Sequence, residues 1–129
     1  MENQQLFEEN NYEKENSLIT LALPTLEGFT IIKVGEIIRC EASGNYTYFY
    51  LENNLKILIS KTLKDFERLL GTKEFCRIHN SHLININHLR KYIKGKGGHV
   101  VMSDGSMVDV AVRKKEAFMR RVIGKLSSN

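Results

Sequence analysis

Apolar positions along this chain alternate with a period of two in most segments and take a helical period in only two. Leu18, Ile19, Leu21, Ala22 and Leu23 form an apolar run that Pro24 is expected to stop, because proline cannot donate to a ladder. Leu26-Glu27-Gly28 reads as a turn. Phe29 to Lys33 (FTIIK) follows, rich in β-branched and aromatic residues, so the two segments predict a hairpin. Ile37 to Ala42 predicts a short strand and Ser43-Gly44-Asn45 a loop. Tyr46 to Leu51 (YTYFYL) predicts a strand, Asn53-Asn54 a turn, and Leu55 to Ile59 (LKILI) its partner strand.

The period then changes. Leu63, Phe66, Leu69 and Leu70 share one helical face, Thr62 and Asp65 suit a capping box, and Gly71 suits a left-handed C-terminal cap. Phe75 to Asn87 returns to strand-like pieces interrupted by Asn and Ser. Leu89 to Lys94 and Val100 to Met102 predict strands on either side of a basic glycine turn, Gly95 to Gly98. Asp104-Gly105 is a strong hairpin signal, and Met107 to Val112 alternates as a half-buried strand should. Phe118, Val122 and Leu126 lie at i, i+4 and i+8, predicting an amphipathic C-terminal helix with Arg120, Arg121 and Lys125 on its polar face. The fold class is therefore mainly β: roughly eight short strands in small antiparallel sheets, one short internal helix and a C-terminal amphipathic helix. Few helices separate strand pairs, which argues against βαβ units.

Composition adds an organisation. Residues 1–16 carry five acidic side chains against one basic and lack an apolar period, so they read as a flexible acidic tail or linker. Residues 17–126 read as one domain and 127–129 as a short tail. No apolar run is long enough for a membrane span, and the acidic N-terminus does not resemble a signal peptide, so a cytoplasmic location is expected. The net charge of +4 conceals an asymmetry: residues 76–129 hold eleven basic side chains against three acidic. A polyanionic partner is expected, nucleic acid first and an anionic membrane surface second.

Phe75 to Leu89 (FCRIHNSHLININHL) mixes apolar anchors with groups that can bond bases or phosphates. Asn80 can make paired hydrogen bonds to N6 and N7 of adenine, His79 can contact a phosphate or a base acceptor, and Arg77 a phosphate or guanine. Ser81 and Asn85 are expected in part to cap strand ends. The Ser43–Thr47 loop precedes a rigid aromatic strand and suits a groove probe or a tight turn. Tyr46 and Tyr48 suit core or sheet-face positions. Lys91, Lys94 and Lys96 suit phosphate contacts or the protection of a strand edge. Arg113-Lys114-Lys115 places three cations at a helix N-terminus, the unfavourable end, by about 0.3–1 kcal/mol each; a polyanion would offset that. His79, His82 and His88 with Cys76 or Asp109 lack HExxH, CxxC or a carboxylate cluster, so no metal and no cofactor is expected. Cys76 and His79 lack an orienting acid and an oxyanion site, so the chain is not expected to be an enzyme.

Six segments in order resemble the LytTR family, the DNA-binding output domain of many bacterial response regulators. They are Leu23–Phe29, Ile37–Tyr46, Thr62–Leu70, Phe75–Asn85, Ser103–Gly105 and Ala111–Phe118. The resemblance covers about Ser17 to Lys125. It implies an elongated arrangement of small antiparallel sheets, and a sequence-specific transcriptional regulator of a two-component system that reads direct repeats of double-stranded DNA in pairs, through loops in successive major grooves. It also implies Asn45 and Thr47 as contacts, Arg113 as a base or minor-groove-edge contact, and Lys114 and Lys115 as phosphate contacts. Asn80 stands where members often carry Arg. No receiver domain accompanies the segments, so the chain reads as a stand-alone regulator or a fragment that begins in the interdomain linker. A protein-interaction module and an RNA-binding domain are the competing readings. The first would leave the basic face incidental; the second would stack bases on YTYFY.

Overall fold

Alternation in YTYFYL decides which face of the central sheet is buried. Thr47, Phe49 and Leu51 are buried on one side of this strand, and Tyr46, Tyr48 and Tyr50 lie on the other. The structure is a computed structural model that describes residues 19–71 and 73–127. The acidic tail expected at 1–16 lies outside the described residues. So do two of the three residues of the C-terminal tail; the third, Ser127, ends the last helix.

Among the described residues, ten strands form three antiparallel sheets. Strands β1 (Thr20–Thr25) and β2 (Gly28–Lys33) make the first hairpin. Strands β3 (Ile37–Ser43), β4 (Tyr46–Leu51) and β5 (Leu55–Ile59) form a meander. Helix α1 (Leu63–Leu70) follows, then β6 (Phe75–His79) and β7 (His82–Asn85). The five strands assemble in the order β5-β4-β3-β7-β6. Strands β8 (Leu89–Ile93), β9 (His99–Met102) and β10 (Met107–Asp109) form the third sheet, and α2 (Lys115–Ser127) closes the chain. This is the mainly β class, with small antiparallel sheets and two helices.

The five-stranded sheet is covered on both faces. On one, Cys40, Phe49, Leu51, Ile59, Phe75 and Leu83 pack against Leu63 and Phe66 of α1 and Leu23 and Ile32 of the hairpin. On the other, Ile38, Cys76, Ile78 and Ile84 pack against Val100, Met102 and Val108 of the third sheet and Phe118 of α2. A bulge in β3 between Ile37 and Arg39 lets the strand feed both cores. Cys40 and Cys76 are free thiols in opposite cores, and burial raises the pKa of each. Buried Asn85 donates to the Ile37 carbonyl at 2.9 Å and accepts from the Asn87 N–H at 3.0 Å, so its polar group is satisfied inside the core.

Four local expectations change. Pro24 does not end β1 but lies within it, opposite Phe29. Its carbonyl faces outward and accepts from the Ser60 N–H at 2.9 Å, so the N–H that proline lacks belongs to an edge where β2 asks for none. The capping box at Thr62 and Asp65 forms, yet Gly71 combines φ 72° with ψ −169° rather than the left-handed helical ψ. The segment expected as one strand from Met107 to Val112 splits. Val110 donates to Gly98 and Ala111 to Ile78, so the chain leaves the third sheet and crosses to β6. Arg121 leaves the polar face of α2 and donates to the Phe75 carbonyl at 2.7 Å, clamping the start of β6.

Candidate nucleic-acid interface

Antiparallel pairing brings distant segments to one end of the five-stranded sheet. The β3–β4 turn, Gly44-Asn45, is a two-residue hairpin between Ser43 and its partner Tyr46, and Gly44 takes φ 61°, which favours glycine. The β6–β7 turn, Asn80-Ser81, lies beside it, because the Ala42 N–H donates to the Ser81 carbonyl at 2.9 Å. Thr47 pairs with Ile59, so Ser60 and Lys61 emerge at the same end. The Ala111 N–H donates to the Ile78 carbonyl at 2.8 Å, which sets the 3-10 turn Val112–Lys114 against the tip of β6.

The polar tips meet there. The Arg113 guanidinium donates to Asn80 Oδ1, and both side chains are exposed. The Asn80 amide NH2 and the remaining Arg113 donors can still face a partner, and Oδ1 keeps a second lone pair. Ser81 donates its N–H to His79 Nδ1 at 3.1 Å, so the proton of the neutral imidazole sits on Nε2. Ser43 and Asn45 are exposed, as are Lys61 and Lys64, while Lys114 and Lys115 are half-buried. The glycine turn adds Lys94 and Lys96, both exposed. Gly97 packs so tightly on the crossing segment that a Cβ there would fall 2.0 Å from the Val110 carbonyl oxygen. Only glycine lets this basic turn pack against the Val110–Val112 backbone. Lys91 lies farther along β8, opposite Val101.

Two expected contact residues do other work. Thr47 is 0% exposed, and its hydroxyl donates to the Lys61 carbonyl at 2.7 Å. It ties the base of the β3–β4 turn to the end of β5 and cannot touch a ligand. Arg77 is committed within the protein: it donates to Glu67 Oε1 and to the His79 carbonyl, each at 2.8 Å, and to the Asn80 carbonyl. Lys61 and Lys64 were not singled out from sequence. The signal was available for Lys61, since a residue just past β5 must return to the end where β4 begins.

The tyrosine face is already occupied. The Arg39 guanidinium lies 3.8 Å from the Tyr50 ring centroid, and Lys56 Nζ 4.2 Å from that of Tyr48. Arg39 also pairs with Glu41 and donates to the Ser106 hydroxyl. Burial works against the nearby Asp104 carboxylate, but hydrogen bonds from Ser106 and the charge of Arg39 outweigh it and hold its pKa below the ordinary value.

At the opposite end, His88 bridges Ser103 Oγ at 2.7 Å and the Gly35 carbonyl at 2.9 Å, joining the two larger sheets. His79 and His82 are ring neighbours at 5.2 Å, and burial pushes the His82 pKa below its ordinary value. Among the described residues, no group of three His, Cys, Asp or Glu side chains is placed to hold a metal ion. No helix among them is long and apolar enough to cross a membrane.

Comparison with known proteins identifies the family and the fold. The family model of the LytTr DNA-binding domain matches residues 27–122. The LytTr DNA-binding domain of a Bacillus cereus protein described as a methyl-accepting/DNA response regulator shares the fold. Its TM-score is 0.68 at 25% identity, over 81% of this chain and 96% of that one. Two heme-containing CO-sensing transcriptional regulators of Paraburkholderia xenovorans, RcoM 2 and RcoM 1, are 25% and 24% identical over 96 residues, or 73% of this chain. This chain spans 36% of the length of each.

Proposed function

Because this chain belongs to the LytTr DNA-binding domain family, we propose that it is the sequence-specific reading domain of a transcriptional regulator, and that copies of it bind short direct repeats in double-stranded DNA. The observation that carries this reading is the exposed Asn80–Arg113 pair at the end of the central sheet, flanked by the Asn45 turn, by Lys114 and Lys115, and by cations from two other segments. Asn80 reads an adenine edge in the major groove, and Arg113 reads a base beside it or the groove edge. His79 offers its Nε2 proton to a phosphate or base acceptor. Lys61, Lys94, Lys96, Lys114 and Lys115 neutralise phosphates, the Ser43 hydroxyl donates a hydrogen bond to one, and together they set the register. Lys91 reaches the backbone only where the duplex runs along β8.

The ring faces of Tyr48 and Tyr50 that meet Lys56 and Arg39 are not free to stack bases, which favours duplex over single-stranded partners. Neither a metal nor a cofactor enters this reading.

Salt titration tests it. Affinity for a selected direct-repeat duplex is expected to fall linearly on a log–log plot, with a slope of about −0.9 per neutralised phosphate. Lys114→Ala is expected to weaken specific and scrambled duplexes alike and to reduce the slope by about 1. No retardation of any duplex at low salt would instead favour the protein-interaction reading.

A further inference from the structure

Glu67 is an acidic side chain next to a surface that the reading above assigns to a polyanion. Charge alone would make it a defect. Its carboxylate, 40% exposed, accepts from Arg77 at 2.8 Å, and the Arg77 side chain is 18% exposed. The same guanidinium donates to the carbonyls of His79 and Asn80. One planar fork thus joins α1 to both residues at the tip of β6.

The ladder is irregular at this point. The register between β6 and β7 shifts between Arg77 and His79. Arg77 therefore supplies donors where the regular ladder has been interrupted. Its own anchor is rigid: Phe66, next to Glu67, is fully buried, and the Thr62–Asp65 capping box fixes the start of α1. The links run from the core through α1 to Glu67, Arg77 and the backbone of the turn that carries Asn80.

We infer that Glu67 and Arg77 are positioning residues for base recognition: the pair holds the Asn80 turn in the geometry that presents the amide beside Arg113, and neither residue touches DNA. The inference rests on Asn80 being a reading residue. A bidentate base contact tolerates little misplacement, so the fork's planarity matters as well as its charge. Lysine is a point charge and cannot satisfy the carboxylate and two carbonyls in one plane.

The test compares the full chain with Glu67→Gln, Arg77→Lys and Asn80→Ala. Each is titrated with the selected duplex and a scrambled duplex across a salt series, and urea midpoints and the amide spectrum report the fold. Glu67→Gln and Arg77→Lys are each expected to lose about 5- to 30-fold of the preference for the selected site. The salt slope is expected to stay unchanged, and scrambled-DNA affinity to hold for Arg77→Lys and to rise slightly for Glu67→Gln, which loses a negative charge, with amide shifts centred on His79–Ser81. Two results overturn the inference: Glu67→Gln binding both duplexes more tightly with its preference intact, or Arg77→Lys keeping full preference. If Asn80→Ala keeps its preference, the placement of the reading side chain fails as well, which separates that failure from one confined to Glu67 and Arg77.

Discussion

Replacing Phe66 with alanine is expected to destabilise the protein by about 3–5 kcal/mol, the usual cost of emptying a buried aromatic site. Phe66 is fully buried and meets Phe49 edge-on, with ring centroids 4.7 Å apart and planes at 79°. This pair is where α1 docks on β4. Its truncation removes apolar burial, leaves a cavity in the core that Phe66 shares with Phe49, and forfeits the edge-to-face contact. Against a total stability of about 5–15 kcal/mol the loss is large. Urea unfolding measures it: the midpoint falls while the slope stays constant. Leu69→Ala on the same helix is the control. Leu69 is 57% exposed, so its loss is expected within about 0.5 kcal/mol. Equal effects at the two positions would mean that α1 is not seated as described.

The second large effect concerns recognition. Asn80→Ala and Arg113→Ala are each expected to cost about 1–3 kcal/mol of discrimination between the selected site and scrambled DNA. The two should not be additive. Arg113 donates to Asn80 Oδ1, so each side chain restricts the other's orientation before DNA arrives. A double-mutant cycle is expected to give a coupling of about 0.5–3 kcal/mol, the range for residues in direct contact. Arg113→Ala also removes a cation, so it weakens scrambled DNA more than Asn80→Ala does. A coupling of zero in the DNA-bound state would mean that the two side chains part on binding and read independently.

Much of the architecture is legible in the chain because its signals are local. The alternation of YTYFYL, the Asn53-Asn54 turn with φ of 66° and 60°, the Asp104-Gly105 turn and the Thr62 capping box all form where the residues place them. The β sheets and two helices follow. What was not legible is mostly non-local. Insertion of β7 between β3 and β6 joins segments some forty residues apart in sequence. No local period specifies which strands pair. The crossing of the chain at Ala111 from the third sheet to β6 likewise depends on Ile78, far from it in sequence.

The candidate site divides the same way. Asn80 and Arg113 come together, and Asn45 lies at the same end. Thr47 was misread although the clue was present. It shares the parity of Phe49 and Leu51, and parity places it inside the sheet. Thr47 enters as a contact through the family resemblance, which takes no account of strand parity. Arg77 is a subtler case. A guanidinium in a basic segment suits a phosphate as well as it suits Glu67, and only the fold shows that α1 brings a carboxylate to it. Pro24 shows the limit of a residue rule: a missing donor ends a strand only when a neighbour asks for it.

If one end of the five-stranded sheet meets DNA, amide chemical shifts followed through a titration with the selected duplex will show it. Perturbations are expected to concentrate on Ser43–Tyr46, Lys61, His79–Ser81 and Arg113–Lys115, with His88 and the β1–β2 hairpin unmoved. Shifts concentrated on His88 and Ser103 at the opposite end, or on Phe29 and Ile31 of the hairpin, would contradict it.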